Sequence, residues 1–518
     1  MNLVAHRRIW MVAALMALTA SSNGSTLVYV PQADVITGTT NYSWWGAGNW
    51  FNLDGSGAGK VPGTADSAII TSLVDATGKG IRVVNLLLTN NAVVTNGTFS
   101  VLNLQMLSAS SFHNAYVNIL TTLSVGGTNC LLSGTIMNVL SIANGTFAPV
   151  APAPAATLTL AQGSLFQNSG TVTLARDSQI IAGSLPQNTL GIAPGAVLSV
   201  TGLSSIEGAG AENLTIDNSG LIRVEAGTLV FDGGIDWNCS AGTGEFRAVS
   251  ASSLILFASG FHADSRTTSL FTGPGTNRWP IGGTIDGTAQ VGTLYPDYSA
   301  STTGNLEILS SCSGLGNLHV VGNPAQTAVL NWNNGTLSLA AIDVDAGATM
   351  LISGGADTSR QLSGCTLNNS GLCSVLSGNL ALAMGSAINN LAGGTIDLVA
   401  DGAFSGSAPP AGGAVNNAGT FRKSSPGLTQ FGTASPSQGP DFNNTGLVDL
   451  LSGQLNLMGG ISSGQFQTAA GAVLWFWGGT HTLGPGANFT GSGSVRLHLG
   501  ASAPRWLLTG TISGTTGR

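Results

Sequence analysis

The 518 residues are 43% hydrophobic but only 8% charged, against a usual charged share of about 25%. The outer surface must therefore be neutral-polar, and the 74 glycines with few helix-period runs argue against helices. Plentiful Val, Ile, Leu and Phe exclude a disordered chain. At the N-terminus, His6-Arg7-Arg8 precede an apolar run from Ile9 to Leu18 and then small polar residues. This pattern predicts a secretory signal peptide over residues 1–22, cleaved between Ala20 and Gly24. A retained anchor is the alternative, but the run is short for a membrane span. Without Arg7 and Arg8 the chain carries 14 basic and 23 acidic residues, a net charge of −9. That balance disfavours nucleic acid and anionic membranes as partners.

Residues 25–80 hold Trp44, Trp45 and Trp50. Bulky aromatics upstream of a sheet edge suit an N-terminal cap merging into the first strands. A Trp-based sugar site is the rival reading of the same cluster. From residue 81 to 518, short apolar runs alternate with Gly, Asn, Ser and Thr turns. The stretches 149–156 and 424–440 look like ejected loops, and 261–301 fits the pattern worst, as an irregular excursion or a junction.

Two stretches repeat one another. Asn218–Gly234 reads NSGLIRVEAGTLVFDGG, and Asn444–Gly460 reads NTGLVDLLSGQLNLMGG. Each continues into a second matched segment, GEFRAVSASSLILFAS and GQFQTAAGAVLWFWGG, after connectors that differ by six residues. Looser copies begin at Asn168, Asn334, Asn369, Gly394 and Asn417. From Gly371 to Gly394, Gly419 and Gly446 the steps are 23, 25 and 27 residues. Such spacing predicts one coil of a parallel β-helix per step, an all-β solenoid. Gly and Asn are expected at the corners because they tolerate positive φ. Two places after the corner Gly stand Val172, Ile222, Cys373, Ile396, Phe421 and Val448, all apolar. Three places after it stand Thr173, Arg223, Ser374, Asp397, Arg422 and Asp449, all polar. Period two with one dry side is a strand with one face in the core.

That register sorts the reactive residues. Cys373 falls in the core, and Asp397 and Asp449 fall outside at positions that accept Arg or Ser equally. Cys130, Cys239, Cys312, Cys365 and Cys373 form no CxxC, so isolated buried thiols are favoured over a Cys365–Cys373 bridge. The closest carboxylate pairs, Asp232/Asp236 and Asp343/Asp345, are too sparse for an acid–base site or a Ca²⁺ site. Gly460-Ile-Ser462-Ser-Gly464 matches a nucleophile-elbow pattern, but it lies between two strands and the other copy lacks it. His262 and His481 occupy similar places without a second ligand at metal spacing. No catalytic, cofactor-binding or metal residue is expected. The one binding candidate is Trp475 with Trp477. With Leu474 and Phe476 inward, as Leu254 and Leu256 would be in the first copy, these two indoles project outward. A pair about 7 Å apart could stack on sugar rings. Their counterparts Ile255 and Phe257 are also apolar, which leaves a covered outer strip as the alternative.

The repeat from Asn444-Thr-Gly-Leu-Val through His481-Thr-Leu to Phe489-Thr-Gly-Ser-Gly493 resembles those of secreted bacterial surface proteins, autotransporter passengers and adhesin-like β-helices. The WxxxGNW…PGTADSAII opening is similar to the motif that often precedes such repeats. The resemblance implies a right-handed parallel β-helix, export, and a non-catalytic place at the cell exterior as an adhesin-like rod or stalk. Glycans, other surface components or self-association are the implied contacts, and no cofactor is implied. A secreted polysaccharide lyase or hydrolase and a passive matrix component are the alternatives. The chain stops at Arg518 in mid-pattern without a membrane barrel or anchor, so free secretion or a fragment is expected.

Overall fold

The alternation of apolar and polar residues becomes, in three dimensions, columns of side chains that run from turn to turn. The structure is a computed structural model describing residues 26–29, 32–33, 40–41, 50–52, 61–62, 66–77 and 80–508. The last span omits 108, 127–129, 140–143, 148–155, 176, 184–186, 211–212, 239–241, 294–302, 323–326, 355–358, 407–412, 433–438 and 498–504. The signal segment, Trp44, Trp45 and Cys239 lie outside the described residues. All regular elements among the described residues are β-strands, and no helix is present. The chain divides into two units, Met1–Asp236 and Trp237–Arg518. Each is a parallel β-solenoid.

In the first unit, Val172 pairs in register with Leu198, and Leu198 with Ile222. All three are fully buried. Pairings here are parallel, with two antiparallel exceptions near the N-terminus. Thr26–Tyr29 lies against Trp50–Asn52, and Gln32–Ala33 against Thr40–Asn41.

In the second unit three strand ladders run side by side. One follows Asn305–Ile308, Val329–Trp332, Thr349–Ile352, Leu372–Val375, Thr395–Leu398, Thr420–Lys423 and Leu447–Leu450. Its inward column is Leu330, Met350, Cys373, Ile396, Phe421 and Val448, each at most 2% exposed. Burying such a column removes apolar surface from water at about 25 cal/mol per Å². Residues 261–291, expected to leave the pattern, instead form parallel strands in register. The apolar residues here and on the two strands before are unusually large: Phe246, Phe257, Phe261, Phe271 and Trp279 pack ring on ring, with Phe261 and Trp279 stacked at 4.9 Å. Aromatic bulk there replaces the small-residue signature that made the repeat readable elsewhere.

Two corner expectations need correction. Asn369, Asn417 and Asn444 do not adopt positive φ. They end strands with their side chains inward, at most 2% exposed. Gly371 also has ordinary φ; a Cβ there would lie 2.3 Å from the Asp345 carbonyl oxygen. It is glycine because the preceding turn passes too close for a side chain. Positive φ belongs to the second glycine of each unit, Gly227, Gly378 and Gly453.

Candidate functional site

Trp475 and Trp477 lie on the strand Val473–Leu483, which alternates between a buried and a half-buried face. Leu474 and Phe476 point into the core with at most 1% exposure, and Phe476 packs against Phe466 and Phe489. The two indoles therefore stand on the outer face, both half-buried, with ring centroids 6.1 Å apart and planes inclined by 60°. They form an angled pair and not one flat platform. In register with Trp475 are Asn456 of the preceding turn and Arg496 of the following one. Asn456 is 4% exposed and accepts a 2.7 Å bond from Gln454, whereas Arg496 is exposed. A guanidinium next to an indole offers cation–π or sugar-hydroxyl contacts.

The counterpart strand in the other copy is offset from the expected register. Ile255 and Phe257 are fully buried, and Leu254 and Leu256 take the outer positions. The turn from Phe246 to Ser253 holds one residue more than that from Phe466 to Ala472, and one inserted residue exchanges the faces of a strand. Leu256, not Ile255, is the register equivalent of Trp475.

The remaining candidates are each engaged elsewhere. Asp343 accepts a 2.9 Å bond from Asn368, and Asp345 pairs with His319 at 3.0 Å. Asp449 meets Arg422 at 3.3 Å, and Asp397 accepts from the Ser424 hydroxyl at 3.0 Å. Asp236 is held by Gln187 at 3.1 Å, and Asp232 by the Gly233 N–H at 2.7 Å. Ser462 is 4% exposed within the strand Gln454–Ser462, and no helix follows it. Cys130, Cys312, Cys365 and Cys373 are buried, and the last three are free thiols. Burial pushes the thiols of Cys312 and Cys373 up to about 12. No group of three or more His, Cys, Asp or Glu able to hold a metal occurs among the described residues.

His262 and His481 turn out to be unlike. His262 is half-exposed and faces Asp286 at 3.2 Å. His481 is 3% exposed, lies edge-on to Phe476 at 5.1 Å, and accepts the Gly459 N–H through Nε2 at 3.2 Å. Burial pulls its imidazole down to about 4.

Sequence reasoning passed over Lys423. It occupies an inward position between Leu398 and Leu450, and its side chain is wholly buried. Its ammonium meets Asp401 at 3.0 Å, the Ser425 carbonyl at 3.0 Å and the Ser425 hydroxyl. Burial lowers the amine below its ordinary range. Burial would raise the Asp401 carboxyl, but hydrogen bonds from Lys423 and Ser425 hold it low. The signal was a lysine at a position where neighbouring copies carry leucine. The buried amine is neutralised by a carboxylate that itself reaches solvent, and it is an ion pair and not a reactive group. Compared with known proteins, the chain matches no protein-family model and no curated protein.

Proposed function

We propose that this chain is an exported, non-catalytic β-helix protein of a bacterial cell exterior, adhesin-like or stalk-like. It would make repeated weak contacts with glycans or other surface components along its outer faces. The observation that carries the reading is the Trp475–Trp477 pair, two indoles held outward by an alternating strand on a face with Arg496 beside them. Large aromatics on an outer strand face suit sugar rings, whose C–H faces are apolar and whose edges are polar. The resemblance of the repeat to autotransporter-passenger and adhesin-like sequences supports export. That no helix among the described residues is long and apolar enough to cross a membrane agrees with a β-helix presented outside the bilayer.

The polysaccharide-active alternative is less favoured, because Asp343, Asp345, Asp449 and Asp397 are tied to Asn368, His319, Arg422 and Ser424. A glycan array probed with the chain lacking residues 1–22 tests the reading. The double substitution Trp475→Ala and Trp477→Ala should lower the strongest signal by at least ~10-fold, the loss of about 1.4 kcal/mol or more. An array without signal, or one the double variant leaves unchanged, removes the Trp pair as a glycan contact. Light scattering on the same sample separates a self-associating matrix component from a glycan binder.

A further inference from the structure

The first unit carries a groove that none of the sequence motifs announced. In three successive turns the chain passes between strands through a residue of positive φ: Asn96 at 52°, Asn114 at 50° and Gly134 at 58°. The backbone N–H of each donates to a carbonyl one turn on: to His113 at 3.0 Å, Ser133 at 2.8 Å and Ala161 at 3.0 Å. The corners are therefore stacked in register, and their column forms an open furrow of about 560 Å³. Its working groups are Thr77, Asn96, Thr98, Asn114, Tyr116 and Ile136. Thr98, Tyr116 and Ile136 take the same register position in consecutive turns. Tyr116 is 41% and Ile136 39% exposed, a large outlay of apolar surface on a corner. Asn96 is oriented by a 3.4 Å bond to Asp75, which also accepts the Thr77 hydroxyl at 2.7 Å. The exposed Asn114 amide has no hydrogen-bond partner among the described residues.

The chemistry of the lining narrows the occupant. Apart from the Tyr116 phenol, no described lining residue is ionisable, so an anion would lose hydration without gaining a counter-charge, and a cation would find the neighbouring Asp75 carboxylate already engaged by Thr77 and Asn96. A purely apolar ligand would strand the Asn96 and Asn114 amides. A sugar ring satisfies both demands, since one face stacks on an aromatic side chain and its hydroxyls pair with amides and hydroxyls. The furrow is open along its length and repeats with the turns, about 4.8 Å apart, close to the rise per residue of an extended polysaccharide. We propose that this groove binds a neutral polysaccharide chain laid across the turns, with a ring on Tyr116 and hydroxyls on Asn96 and Asn114. The site belongs to the first unit and depends neither on export nor on the Trp475–Trp477 pair.

Affinity gel electrophoresis of the chain lacking residues 1–22 tests it, with laminarin, dextran, galactomannan and xyloglucan in the gel and alginate as the acidic comparison. At least one neutral polymer should retard the protein. Tyr116→Ala and Asn114→Ala should each weaken that retardation at least ~10-fold, while Leu315→Ser, at an 88% exposed position of the second unit, leaves it in place. Tyr116, Asn114 and Leu315 are all exposed, so unchanged circular dichroism and melting show that the variants are folded. The proposal is overturned if no neutral polymer retards the protein or if alginate alone does. It is equally overturned if Tyr116→Ala migrates as the parent does.

Discussion

Asn390 donates from its side-chain amide to Oδ1 of Asn417 at 2.7 Å, one turn further along the second unit. The bond is one link in a buried chain from Asn369 through Asn390 and Asn417 to Asn444, with links of 2.7–2.8 Å. Spare amide hydrogens reach the backbone oxygens of Thr395, Thr420 and Leu447. One residue earlier on the same strands, a second chain runs along the outer face from Asp343 through Asn368, Asn389 and Asn416 to Asn443. Each turn is thus tied to the next twice, once in the core and once on the surface.

Removing an inner link should cost far more than removing an outer one. Asn390→Ala leaves the Asn417 oxygen and the Thr420 carbonyl without their amide donor in a site closed to water, a penalty of about 2–3 kcal/mol. Asn389→Ala breaks the half-buried chain, where water can replace the lost partners, and should cost about 1 kcal/mol or less. Hydrogen exchange of the turns around residues 387–420 reads the difference locally, as suits a repeat whose turns can open separately. Equal protection in the two variants would refute the distinction.

The glycines offer a second graded comparison. Gly371→Ala places a methyl against two backbone oxygens, those of Asp345 at 2.3 Å and Ala348 at 2.4 Å. Backbone cannot step aside as a side chain can, so a loss of about 3 kcal/mol is expected. Gly393 has φ of 89° and open space around it, so Gly393→Ala meets only conformational strain, about 1–2 kcal/mol. Denaturant titration of both variants against the parent checks the order.

How much of this was legible follows from what each residue does. Val172, Ile222 and Phe421 were readable because burial of one strand face imposes a two-residue period that survives substitution. The asparagine chains were not, because an Asn beside Gly reads locally as a turn former. Only the doublets Asn368-Asn369, Asn389-Asn390, Asn416-Asn417 and Asn443-Asn444, ending equivalent strands, distinguish a ladder from a corner. The outward aim of Trp475 and Trp477 was legible from Leu474 and Phe476, but the facing of Leu254 was lost to a single inserted turn residue. Lys423 escaped because a charged residue at an inward position obeys no period. Its ion pair is completed by Asp401, 22 residues away in sequence.

His481 should give the second unit a measurable pH dependence. With its folded pKa near 4 against an ordinary 6.5, the unfolded chain takes up the proton first. Its contribution is complete above pH 6.5 and is lost as pH falls toward 4, by about 3 kcal/mol in all. Burial raises the Asp441 carboxyl, so that group acts with the opposite sign as pH rises above its ordinary range. The His481 contribution is therefore read as the difference between the parent and a His481 variant from about pH 4 to 6.5. His481→Gln keeps an acceptor for the Gly459 N–H and should flatten the unfolding free energy over that window. A slope equal to the parent's would assign the effect elsewhere.

Lys423 and Asp401 should respond asymmetrically. Lys423→Met puts an apolar chain between Leu398 and Leu450 and should change stability by about 1 kcal/mol or less, in either direction. Asp401→Asn leaves a buried ammonium without its counter-charge. Because the Asp401 side chain is 43% exposed, the expected cost is about 1–3 kcal/mol and not the larger figure for a fully buried pair. Chemical denaturation of the two single variants and the double variant measures the coupling. If Lys423→Met proves the more damaging change, the ion pair is a net stabiliser.

Asn277 presents the opposite case, a position where the natural residue weakens the fold. It is fully buried at an inward position, in register with Ile255 and Leu306, and neither its amide nitrogen nor its oxygen has a hydrogen-bond partner. Two places on, the indole N–H of Trp279 is buried and unpaired as well. Leu has the same heavy-atom count and branching as Asn, with a larger volume, and continues the apolar column, so Asn277→Leu removes an unsatisfied amide without opening a cavity. The substitution should raise stability by about 1–2 kcal/mol. Asn277→Ala distinguishes this from a packing effect, because it also removes the amide but leaves a void and should gain less than the leucine variant. A loss of stability in Asn277→Leu would mean that the amide and the Trp279 indole are satisfied by an enclosed water. The leucine side chain would then be displacing a bonded partner instead of filling dry space.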